Sequence, residues 1–151
     1  MERFVSDPMP LPPAVREGRY SSADLIFYDV DHSSRSFETL IFLNAPDAGA
    51  GTGREIEAGF AGSFVIFGHG GCFGDEGHCH VPTHHKDPFD SRPLHPLTPQ
   101  TKTVEVTGAL KRIGADSDGL IVTALAIVPG TDGSQLRDLL SFSSMRFVAY
   151  D

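Results

Sequence analysis

A chain of 151 residues, 40% hydrophobic and 21% charged, has the size and balance of one soluble globular domain with a single core. Its formal net charge is -8 and it carries no run or stripe of Lys and Arg, which argues against nucleic-acid binding, because phosphate needs clustered cations. No window reaches the roughly 20 apolar residues of a membrane helix, and MERFVSDPMPLPP lacks the basic start and apolar run of a secretory signal, so a cytoplasmic protein away from membranes is expected.

Residues 1–20 hold Pro8, Pro10, Pro12 and Pro13 without periodicity, which predicts an extended arm along the edge of a single domain spanning residues 21–151. Ala23–Val30 (ADLIFYDV) is the first predicted strand, rich in aromatic and branched residues and bounded by polar turns. Phe37–Leu43 (FETLIFL) is the second, and its nearly continuous apolar run predicts burial on both faces. The short polar link DHSSRS makes the two a hairpin or a pair that crosses between sheets. His32 in that link reads as a turn residue rather than a ligand.

Asn44–Ala58 is predicted as a loop. Its glycines Gly49, Gly51 and Gly53 are similar to part of a dinucleotide fingerprint, but no helix follows to receive a phosphate at its N-terminus. Gly59–Phe67 (GFAGSFVIF) is the third strand, where an interior Gly62 predicts a bulge or a close backbone approach. Thr101–Thr107 alternates as a half-buried strand does. Thr107–Gly114 predicts one or two helical turns, with Thr107 as cap and Leu110 and Ile113 on one face. Leu120–Val128 is a core strand. Phe142–Tyr150 is the last, with Phe142, Met145, Phe147 and Ala149 inward and a register break near Ser143–Ser144. About six or seven strands, polar turns and one short helix predict an all-β fold, an antiparallel β-sandwich or flattened barrel.

Between the third strand and the next lies a long stretch with little periodicity, and compact domains rarely keep such a loop without a use. Both cysteines, Cys72 and Cys79, fall between Phe60 and Pro96, as do six of the seven histidines: His69, His78, His80, His84, His85 and His95. Imidazole suits copper and zinc, and thiolate prefers Cu(I) or zinc. On an extended backbone His78 and His80 face the same way. A turn brings back His84, and His69 and His95 stand at the two stems. The same residues also fit a structural loop. Cys72 and Cys79 can close a disulfide across FGDEGH, with Phe89, Leu94 and Leu97 docking the loop and prolines stiffening it. A third reading sets Asp75 and Glu76 beside His78 as a general acid/base pair, although two solvated carboxylates are the commoner outcome.

The runs ADLIFYDV, FETLIFLN, FAGSFVIFGH and VTGALKRIGADSDGLIVTALAIVP, in that order, resemble the C-terminal β-sandwich domain of the type 3 copper proteins: tyrosinases, polyphenol oxidases and haemocyanins. The plant polyphenol oxidase domain has a Phe-Ala-Gly-Ser-Phe strand, and the haemocyanin version has an Asp after a Phe, as in Phe89–Asp90 here. The resemblance spans roughly Ala23 to Asp151. It implies an accessory domain rather than a catalyst by itself, because nothing here supplies the helices and histidine spacing of the di-copper site. Such domains cover the copper-site entrance of an oxidase, so the implied partner is a type 3 copper oxidase or its catalytic domain. Copper is the implied metal ahead of zinc. Cys72 and Cys79 are spaced more widely than the copper-loading motif of some fungal members, so that role does not transfer to them. The reading from a different class is a small stand-alone Cu- or Zn-dependent enzyme acting on a phenolic or peptide substrate through the histidine cluster.

Overall fold

The computed structural model describes residues 1–69, 81–85, 87–91, 98–113, 119–130 and 137–151. Seven strands among them form two antiparallel sheets. In chain order they are β1 (Glu2–Val5), β2 (Ser22–Val30), β3 (Phe37–Leu43), β4 (Phe60–Ile66), β5 (Gln100–Glu105), β6 (Val122–Ile127) and β7 (Ser144–Tyr150). Helix α1 (Pro13–Arg16) precedes β2, and α2 (Thr107–Ile113) follows β5. One sheet has the order β1-β6-β3-β4 and the other β5-β2-β7. The expected all-β sandwich is the architecture found.

Alternation along the strands sets the core. Leu25, Phe27, Ile41, Val104, Val122 and Ala124 meet between the sheets. Each fully buried Phe or Leu removes apolar area worth about 1.5–3 kcal/mol. An aromatic chain links the layers: Phe4 meets Phe142 at 5.1 Å, Phe142 meets Phe27 at 5.2 Å, and Phe27 meets Phe64 at 5.3 Å between ring centroids. Residues of β3 on the opposite face, Leu40 and Phe42, join Leu125 and Ala48 in a second buried cluster. The continuous apolar run of FETLIFL therefore serves both faces of its sheet, as its composition predicts. In β7, Met145, Phe147 and Ala149 pack inward with Phe142 just before them.

The first twenty residues do more than trail along the edge. Glu2–Val5 pairs antiparallel with β6, and Met9 continues the pairing with Leu120. Leu11 and Val15 are buried in the main core. Phe4 meets Phe142 and Met9 pairs with Leu120, each more than a hundred residues away, so no local periodicity announces these contacts.

Thr107 also departs from expectation. Its hydroxyl accepts the Ala23 amide at 2.9 Å, and the first turn of α2 is made by the Leu110 amide on the Val106 carbonyl at 2.9 Å. The side chain serves an amide at the start of β2 instead of capping its own helix. Leu110 and Ile113 do share the core-facing side of α2. Gly114 and the turns expected at Asp116–Gly119 and Thr131–Ser134 lie wholly or mostly outside the described residues.

Candidate functional site

Three links cross between the sheets at the same end of the sandwich: the one from β6 to β7, and two passages that bear on the candidate site. The link 31–36 leaves the three-stranded sheet after β2 and enters β3 of the four-stranded sheet. The stretch 67–99 leaves β4 and returns to β5. This second passage is the His/Cys-rich stretch, and its two stems can be followed in atomic detail.

On the first stem, the Gly68 amide donates to the Ser36 hydroxyl at 3.1 Å and the His69 amide donates to the His32 carbonyl at 2.9 Å. Gly68 has to be glycine. A Cβ there would overlap the Ser34 carbonyl oxygen and the Arg35 backbone. On the second stem, His32 Nε2 bonds the Thr98 carbonyl at 2.8 Å, and the Gln100 side-chain amide meets His32 Nδ1 at 3.3 Å. A carbonyl only accepts, so Nε2 carries the proton. In the neutral ring Nδ1 then accepts from the Gln100 amide, an assignment made from the hydrogen-bond network. His32 is 6% exposed, and its ring stands edge-on to the His69 ring at 5.1 Å between centroids.

Next to it, Asp31 takes the Ser33 hydroxyl at 2.7 Å and the Ser33 amide at 3.0 Å. The hydroxyl bond first, then the amide bond, hold the Asp31 carboxyl below its ordinary value. The Asp31 amide donates to the Ser141 carbonyl at 2.9 Å, which ties the segment leading into β7 to the same corner.

His32, read from sequence as a turn residue, is thus the point where both stems are fastened. Both ring nitrogens are engaged, so it is no metal donor in this arrangement. No local signal marks it, because its partners stand 37, 66 and 68 residues along the chain.

The other candidate ligands separate into two groups. His69 is exposed. His84 and His85 are exposed as well, with the Thr83 hydroxyl 3.1 Å from His84 Nδ1. Cys72, His78, Cys79, His80 and His95 lie outside the described residues, as do Asp75, Glu76, Leu94 and Leu97. Among the described residues no three His, Cys, Asp or Glu side chains converge in a metal-holding group. Imidazoles at 69, 84 and 85 are chemically suited to copper or zinc.

Phe89 was expected to dock the loop on the sandwich, and it does not. It is 93% exposed, on a turn where Asp87 Oδ1 accepts the Phe89 amide at 2.8 Å and the Asp87 carbonyl accepts the Asp90 amide at 3.2 Å. The Asx turn after Asp87 sets the backbone direction there and carries the ring outward. Phe67, at the exit from β4, is 76% exposed. Apolar surface therefore accompanies the exposed imidazoles.

A scan against protein-family models and a search of curated proteins each return no match to this chain.

Proposed function

We propose that this chain is an accessory β-sandwich that covers or services the copper site of a type 3 copper oxidase, meeting the oxidase with the sandwich end from which the His/Cys-rich stretch emerges. The observation that carries the reading is the ordered set of strand motifs. ADLIFYDV falls on β2, FETLIFL on β3, FAGSFVI on β4 and VTALAI on β6, so the quoted runs are the frame of one sandwich. Exposed Phe67 and His69 stand on the first stem, and exposed His84, His85 and Phe89 follow in the stretch that leaves it, so the stretch offers both donor atoms and apolar contact area.

In this reading the histidines and cysteines from His69 to His95 hold copper, with zinc as the lesser fit, or lie against the partner's metal centre. The chain's own part is display: a two-sheet frame fixes both stems of the His/Cys-rich stretch. Co-purification tests it. A type 3 copper oxidase or its catalytic domain retains the untagged chain through gel filtration. Elution of the two as separate species at micromolar concentration counts against the proposal.

A further inference from the structure

The link 31–36 and the stretch 67–99 are separate in sequence, yet both stems of the second are fastened to one residue of the first. We propose that His32 is a clamp that couples the two stems, so that residues 68–69 and residues 98–100 loosen together rather than independently. The inference rests on the stem geometry and does not depend on the oxidase reading.

Four contacts carry it. The ring donates to Thr98 at 2.8 Å and is met by Gln100 at 3.3 Å, while the backbone carbonyl takes the His69 amide at 2.9 Å and the ring edge meets His69 at 5.1 Å. An imidazole held at both nitrogens resists rotation. Displacing Thr98 or Gln100 therefore turns the ring, and its motion bears on His69. The first stem has little slack to absorb this, because Gly68 is pressed against the backbone of Ser34 and Arg35 in the link that carries His32. Solvent competes poorly for these bonds, since His32 is buried. A molecule that engages the stretch between the stems is consequently felt at the ends of β2 and β3.

Amide hydrogen exchange on the full chain tests the coupling by changing one stem and reading the other. Gln100→Ala changes a side chain of the second stem and removes its contact with the His32 ring, leaving the first stem's own residues intact. The clamp predicts that the Gly68 and His69 amides then exchange about fivefold to tenfold faster, while amides in the middle of β3 and β6 keep their rates. His32→Ala accelerates both stems more strongly; where that variant does not fold, Gln100→Ala alone decides. Unchanged exchange at Gly68 and His69 in Gln100→Ala overturns the proposal. So does equal acceleration in every strand, which is the mark of general destabilisation.

Discussion

Thr39 stands in the middle of β3 with its hydroxyl shut away from solvent, and among the described residues it has no hydrogen-bond partner. A buried hydroxyl left unpaired costs about 1–3 kcal/mol of desolvation. Thr39→Val keeps the branched shape and removes the cost, so it raises unfolding free energy by about 1 kcal/mol, read as a midpoint rise of roughly 2–4 °C in thermal unfolding. An unchanged or lower midpoint shows that the hydroxyl is satisfied. Glu38, one position away, behaves oppositely. Arg54 grips its carboxylate with two bonds of 2.9 Å, and this hydrogen bonding, then the positive charge, holds the Glu38 carboxyl below its ordinary value. A depressed carboxyl stabilises the fold above its ordinary value, and that contribution is lost as pH falls through the depressed one. Arg54 is half exposed, which limits the gain. Arg54→Ala is therefore less stable than the parent by about 0.5–1 kcal/mol at pH 7, and urea unfolding of the two converges in acid, once the Glu38 carboxyl is protonated in both. At this scale the sequence conceals most. Nothing near His32 separates a turn histidine from a clamp, because its role is assigned by Thr98, Gln100 and His69.

Among the elements, the strands were the most legible part of the chain. FETLIFL gives β3 its full extent, and the glycine inside FAGSFVI marks a real irregularity. Gly62 has φ of 149°, and the pairing of β3 with β4 slips there, with Ile41 opposite Gly62 but Phe42 opposite Phe60. A Cβ at Gly62 would lie 2.6 Å from Val104 Cγ1 in the other sheet. The bulge lets β4 lean toward β5, and only glycine admits both the backbone angle and the contact. Gly62→Ala should cost about 1–3 kcal/mol in denaturant unfolding; a cost under a few tenths would mean that the strands can part without penalty. The arm was less legible. Glu2 accepts the amides of Leu139 and Leu140 at 2.6 and 3.0 Å, fixing β1 through residues at the far end of the sequence. Proline-rich spacing speaks of extension but not of what an extended segment will pair with. Thr107 shows the same limit: a residue suited to capping was claimed by a neighbouring strand.

For the molecule as a whole, burial and crossing order work together. A core between two sheets and a second cluster outside β3 make a stiff frame, and both sheet crossings considered above meet at His32. The fold was readable because apolar alternation is a local property with period two. The composition of the site was readable for the same reason, since six histidines and both cysteines stand together in the sequence. Its assembly was not, because ligand convergence depends on backbone paths that composition does not encode. The central claim is that this frame meets a type 3 copper oxidase at its His-rich end. The most direct measurement is the rate of phenol oxidation by such an oxidase's catalytic domain as the purified chain is titrated in. The account predicts a saturable change in rate that is complete near one chain per catalytic domain. A rate that stays constant into large excess contradicts it.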